Sequence, residues 1–193
     1  MKYMIQHTEG MKDVARDILA ALPRGARKAS ILTLSGDLGA GKTTFTQALA
    51  EELGVKGRVT SPTFGIMRSY DIPPCHPEQN VCHPELDSGS PRISSGNNTS
   101  KIPDHPLRQG SAGHKVRNDS KGRTFTTLVH IDAYRLEGRE DLETLGWENL
   151  VANPKNLIVI EWPERISDSI PQSATHLSFE HIDENTRKVK VNP

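Results

Sequence analysis

Residues 36–44, Gly-Asp-Leu-Gly-Ala-Gly-Lys-Thr-Thr, constrain this chain more than any other stretch. Gly36, Gly41, Lys42 and Thr43 satisfy G-x-x-x-x-G-K-[ST], a loop whose backbone N–H groups wrap a phosphate. The glycines remove Cβ atoms that would otherwise stand between the backbone and the anion. Lys42 is the residue that reaches the β- and γ-phosphates, and the Thr43 hydroxyl is the one that ligates Mg2+. The loop needs a strand leading in and a helix leading out, because the helix N-terminus adds its partial positive charge to the site. Both flanks have that character. Ser30–Ser35 reads as a buried strand, and residues 44–53 read as a helix.

The rest of the chain extends this strand–loop–helix unit. Met11, Val14, Ala15, Ile18, Leu19 and Leu22 recur at helical spacing, predicting a helix over residues 8–22 that Thr8 caps and Pro23-Arg24-Gly25 ends. Ser61-Pro62 predicts a loop, because a residue before proline is disfavoured in helix. Residues 64–70 and 125–131 then read as strands, paired with each other. Short helices are expected at residues 141–145 and 147–151, punctuated by Gly146. Leu157-Ile158-Val159-Ile160 has the continuous apolar character of a strand buried on both faces. Residues 175–181 and 187–191 predict a final antiparallel pair. The sum is an α/β fold: a P-loop NTPase-like three-layer domain with a mixed central sheet flanked by helices.

Between the two paired strands the composition changes. Residues 74–122 hold 18 Pro, Gly or Ser, 9 apolar residues, and no Phe, Trp, Tyr or Met. Such a segment buries too little to offset its ordering entropy, so it is predicted to be a low-complexity, disordered insertion. The domain is then residues 1–73 with 123–193, and the insertion stands where a hairpin turn would be. It contains a short repeat, Cys75-His76 and Cys82-His83, which raises the question of zinc. Adjacent Cys-His pairs strain simultaneous ligation and the spacing matches no finger or ribbon, so no zinc site is expected.

Formal net charge is zero, which argues against a protein that coats nucleic acid by charge alone. No apolar run approaches the roughly 18 residues of a membrane span. The first residues lack the apolar core of a signal peptide, so a cytoplasmic protein is expected. Two cysteines do not make a disulfide framework.

A phosphate loop needs an acidic partner for Mg2+ at the end of a neighbouring buried strand. Two candidates exist, Asp132 after Leu128-Val129-His130-Ile131 and Glu161 after Leu157-Ile158-Val159-Ile160. One can bind the metal while the other positions the attacking water; spacing alone does not rank them. Ser61, Pro62 and Thr63 follow the loop's helix and read either as a plain Ser-Pro turn or as a switch segment whose hydroxyls reach the γ-phosphate or the metal. Arg135 reads either as a residue that offsets phosphate charge or as a surface arginine. Trp162 reads either as a core aromatic or as a surface contact.

Taken in order, Gly36 to Thr44, Ser61-Pro62-Thr63-Phe64, His130-Ile131-Asp132-Ala133-Tyr134-Arg135-Leu136 and Glu161-Trp162-Pro163 resemble the motifs of the TsaE (YjeE) family. The resemblance covers the chain outside the insertion. The insertion itself resembles the translated product of a palindromic repeat element. The resemblance implies a bacterial ATPase needed for N6-threonylcarbamoyladenosine at position 37 of tRNA, acting with TsaB and TsaD and touching tRNA only through that complex. It implies ATP over Gly36, Asp37, Leu38, Gly39, Ala40, Gly41, Lys42, Thr43 and Thr44, and Mg2+ on Thr43 and Glu161. It further implies Asp132 in hydrolysis, beside the charge-stabilising Lys42 of the loop motif, Trp162 near nucleotide or partner, and, on a weaker match, Thr8 near the nucleotide. Turnover is expected to be slow without the partners. A P-loop small-molecule kinase is the alternative, and a non-enzymatic binding module acting through the Cys/His segment is a third reading.

Overall fold

Among the described residues seven strands form one sheet, and its most apolar strand lies near the middle. The computed structural model describes residues 1–23, 25–62, 65–74 and 125–192. In chain order the strands are β1 (Lys2–Ile5), β2 (Ser30–Ser35), β3 (Met67–Asp71), β4 (Thr127–Asp132), β5 (Asn156–Glu161), β6 (Thr175–His181) and β7 (Arg187–Asn192). The helices are α1 (Thr8–Ala21), α2 (Lys42–Glu52), α3 (Arg139–Thr144) and α4 (Trp147–Ala152). The sheet order is β1-β7-β6-β2-β5-β4-β3. β2 runs parallel to both β5 and β6, and β5 runs parallel to β4. The outer pairs β1–β7, β6–β7 and β3–β4 are antiparallel. The sheet is therefore mixed, with a parallel centre.

Strand periodicity divides the core into two layers. On one face Leu32, Leu34, Leu128, Leu157 and Val159 pack with Met11, Val14 and Ile18 of α1 and Phe45 and Leu49 of α2. On the other, Ile31, Val129, Ile131, Ile158 and Ile160 pack with Leu142 of α3 and Trp147 of α4. Every residue of β5 is buried, which is why its sequence shows no alternation. β4 carries His130 and Asp132 on the same face as Leu128, toward α1 and α2.

Several boundaries differ from the sequence reading. The N-cap of α1 is His7, in extended conformation and without a side-chain capping bond, so Thr8 is the first helical residue rather than the cap. β1 carries no strong strand signal and pairs only at the sheet edge, with β7. The β3–β4 ladder runs from Met67↔Ile131 to Asp71↔Thr127, joining the two sides of residues 74–122 in one sheet. Phe64, at the start of the predicted strand, and the segment from Cys75 to Thr124, with Cys75, His76, Cys82 and His83, lie outside the described residues.

Candidate nucleotide site

The parallel strands β2, β5 and β4 end side by side, and the candidate residues sit at those ends. Register aligns Leu34 with Glu161 and Glu161 with Asp132. Gly36 follows β2 two residues beyond Leu34, so the loop leaves the sheet at the same edge as the two carboxylates. Ligands in open α/β sheets occupy this carboxyl edge.

The loop's conformation depends on its glycines. Gly36 has φ +132, and a Cβ there would stand 2.3 Å from the carbonyl oxygen of Phe179 on β6. Gly41 has φ +104 and is the N-cap of α2, with no side-chain capping bond. The first turn of a helix leaves N–H groups without intrahelical partners, so α2 presents its donors and its positive end to the loop. Asp37, Leu38 and Gly39 are exposed at the tip, while Ala40 is buried. Met11 of α1 reaches to 3.0 Å from where a Gly41 Cβ would project. Thr8 opens α1 three residues earlier on the same side of that helix.

Lys42 is 5% exposed and its ammonium is folded back onto its own loop. Nζ donates to the carbonyls of Gly36 at 2.5 Å and Asp37 at 2.8 Å. It also lies 3.9 Å from the centroid of the Trp162 ring. Burial pushes this ammonium below its ordinary lysine value, and the nearby carboxylates of Glu161, Glu164, Asp132 and Asp37 pull it back up. Trp162 itself has φ +59, left-handed geometry that a bulky residue rarely adopts. That turn, closed by a Trp162 N–H bond to Leu34 O at 3.2 Å, swings the indole from the end of β5 over the loop. Tyr134 stacks against the indole at 5.2 Å, tilted, so the aromatic pair is half-exposed beside the lysine.

Beneath the lysine, Thr43 Oγ1 donates to Glu161 Oε1 at 2.9 Å and Oε2 at 3.2 Å. Glu161 is 3% exposed and also receives His130 Nε2 at 2.9 Å. A hydroxyl and a carboxylate converging at one point are hard oxygen donors, the type that suits Mg2+ alongside phosphate oxygens. The residues present therefore fit the cation. Among the described residues no cluster of three His, Cys, Asp or Glu side chains is placed to hold a metal by protein ligands alone.

Asp132 is held in a separate frame. Its Oδ2 accepts from Ser61 Oγ at 3.1 Å, its Oδ1 accepts from Tyr134 N at 3.1 Å, and its N–H donates to Ile66 O at 2.8 Å. Ile66 has φ +61, a strained conformation for a β-branched residue. The segment before it is tied to α2 through Gln47 Nε2 on Val59 O at 2.9 Å. The structure thus joins Ser61 to Asp132, and Pro62 is buried beside them. Thr63 lies outside the described residues. Arg135 is exposed at the end of the 3-10 turn 133–135. Ile66 joins the site without standing among the sequence candidates, and His130 and Tyr134, quoted in the motif around Asp132, join it without having been assigned a role. His130 had one available signal, a titratable residue in an apolar strand two positions before Asp132.

Comparison with known proteins identifies the family and the fold. The family profile "Threonylcarbamoyl adenosine biosynthesis protein TsaE" matches residues 5–87 and 111–189. A relative named tRNA threonylcarbamoyladenosine biosynthesis protein TsaE, from Streptomyces coelicolor, is 31% identical over 166 residues, covering 86% of this chain and 78% of its own. One of the same name from Treponema pallidum is 26% identical, covering 84% of this chain and 81% of its own. The crystal structure of YdiB from Bacillus subtilis superposes with a TM-score of 0.56 at 22% identity, covering 98% of this chain and 82% of that one, which establishes the shared fold. No helix among the described residues is long and apolar enough to cross a membrane.

Proposed function

The chain belongs to the TsaE family, and from that premise we propose that it is the ATP-hydrolysing component of the machinery that installs N6-threonylcarbamoyl on adenosine 37 of tRNA. The observation that carries the ATPase half is the convergence of Thr43 Oγ1 on both Glu161 oxygens at 2.9 and 3.2 Å, directly below a phosphate-binding loop. The small-molecule kinase reading is not favoured, since the relatives are named for threonylcarbamoyladenosine biosynthesis.

In this reading the ATP phosphates lie over the backbone from Gly36 to Thr44, with Thr8 of α1 beside them. Lys42 exchanges the carbonyls of Gly36 and Asp37 for phosphate oxygens, a charge-assisted contact stronger than the neutral ones it leaves. Thr43 and Glu161 would hold Mg2+, which when bound neutralises charge on the transferring phosphoryl group. Asp132, oriented by Ser61 and by the backbone of Tyr134 and Ile66, accepts a hydrogen bond from the attacking water. Ser61, Pro62 and Thr63 are the switch segment, and Ser61 Oγ carries the contact with Asp132. Trp162 and the exposed Arg135 face the nucleotide or a partner. Hydrolysis is slow alone and accelerates when TsaB and TsaD complete the site; tRNA is reached only through them. Residues 1–73 and 123–193 make up the ATPase unit, and 74–122 is a passenger segment without its own function. The work is carried out in the cytoplasm, where ATP and tRNA meet.

The test is ATP turnover with and without the TsaB–TsaD pair, for the parent chain, Lys42→Ala and Glu161→Ala. We expect low turnover alone, clear stimulation by the pair, and a loss of about 100-fold or more in both variants. Unchanged turnover in Lys42→Ala would remove the phosphate-loop reading. Rates insensitive to the pair would remove the coupling.

A further inference from the structure

His130 occupies a position where an imidazole works against stability. It lies in the middle of β4, fully buried, beside Val159 in register and two residues from Leu128, both apolar core residues. Its Nδ1 has no hydrogen-bond partner among the described residues. An unpaired buried polar atom loses its hydration without recovering a hydrogen bond, a cost that an aliphatic side chain at the same place does not carry. Folding alone favours Leu or Val here.

The side-chain contact that the imidazole does make is directed at the site. Nε2 lies 2.9 Å from Glu161 Oε1. A carboxylate has no hydrogen to give, so Nε2 carries the hydrogen and donates. Glu161 is then gripped from two sides, by Thr43 Oγ1 from the loop and by His130 from the sheet interior. Thr43 belongs to the proposed ligand pair itself. The contact that orients Glu161 independently of the loop is therefore the one from His130.

We propose that His130 is a positioning residue for the cation site: its Nε2–H holds the Glu161 carboxylate with both oxygens facing Thr43 Oγ1. The inference rests on the reading of Glu161 as a cation ligand. Hydrogen-bond partners of this kind, one step removed from the metal, contribute about 10- to 100-fold to metal affinity.

The experiment is equilibrium binding of a fluorescent, non-hydrolysable ATP analogue to the full chain, titrated with Mg2+ and repeated in EDTA. His130→Gln carries an amide nitrogen at the reach of Nε2. His130→Asn stops one bond short, and His130→Leu removes the donor. We expect the Mg2+ midpoint to rise about tenfold or more in the Asn and Leu variants and to stay within about threefold of the parent in Gln. Affinity in EDTA stays at the parent value in all three. Glu161→Ala is the control, and it abolishes the Mg2+ dependence. If Glu161→Ala kept the parent midpoint, the ligand reading beneath the proposal would fall. If Glu161→Ala lost it while Asn and Leu kept it, only the role of His130 would fall. Equal weakening of Asn in EDTA and in Mg2+ would make the residue a packing element and overturn the proposal. Should the Leu variant fail to fold, the Asn–Gln pair decides, since both are polar and close to the imidazole in size.

Discussion

Two glycines of the loop separate the ways in which a single residue holds this site. At Gly36 the left-handed φ coincides with a close approach: a Cβ would stand 2.3 Å from the Phe179 carbonyl oxygen, which is backbone and does not move aside. At Gly39 the φ is +77 but nothing lies within 4 Å of a Cβ. Gly36→Ala is therefore expected to lose about 1–3 kcal/mol of stability through overpacking, besides its backbone strain. Gly39→Ala carries the strain alone, about 1–2 kcal/mol. Urea unfolding of the two variants checks the ranking, and a smaller loss at Gly36 than at Gly39 would contradict it. Trp162 shows the converse, a bulky residue held at φ +59 because its ring is wanted over Lys42 at 3.9 Å. No spacing rule in the sequence announces that turn. The motif reads Glu-Trp-Pro, and only the observed geometry shows which way the indole faces.

Elements pack through polar contacts as well as apolar ones. α1 and α2 are linked by Arg16, whose Nε and Nη2 reach the two carboxylate oxygens of Glu52 at 2.8 and 2.9 Å, and by Lys12 to Glu51 at 2.9 Å. This keeps Met11 against Gly41 and so couples α1 to the loop. On the β6–β7 hairpin, Glu180 lies between Lys188 and Lys190 at 2.7 and 2.6 Å, and their hydrogen bonds hold its carboxyl down at about 2. A depressed carboxylate stabilises the fold above its unfolded value, roughly 4.3, and that contribution disappears as pH falls through about 2. Glu180→Gln should therefore lower the unfolding midpoint slightly at pH 7 in low salt. The difference should close between those two pH values, and added salt should narrow it at neutral pH because the group is exposed. A pH-independent difference, read by urea unfolding across the range, would contradict the ion-pair origin.

At the scale of the whole molecule, one sheet is assembled from both sides of residues 74–122. The ends that bracket this segment are already paired: Asp71 faces Thr127, and Ile72 N–H donates to Thr126 O at 2.9 Å. A turn of about four residues can span such a pair. Replacing residues 75–124 by a short Gly-containing turn should leave nucleotide affinity within about twofold of the parent. Cutting the connection about tenfold in length recovers at most about 2 kcal/mol of closure entropy, so stability should be unchanged or higher. A variant that no longer binds nucleotide, measured with the same fluorescent analogue, would show that the segment belongs to the working domain.

The sequence alone determined the elements whose signals are local. A phosphate loop is contiguous, so its glycines, Lys42 and Thr43 are legible as a string, and the strand before it and helix after it follow from apolar patterning. The buried strand ending in Glu161 was legible because a fully buried strand is apolar throughout. Ranking Asp132 against Glu161 was not legible, because both end apolar strands. Only register and side-chain direction put Glu161 beneath Thr43 and bring Asp132 to Ser61 and the Ile66 carbonyl. β1 was missed because an edge strand of four residues owes its pairing to β7, far away in the chain. His130 is the clearest case: in sequence it is one polar residue in an apolar run, and its contact is with a residue 31 positions later. Contacts made across strands are set by the packing of the whole sheet, so no local pattern of residues encodes them.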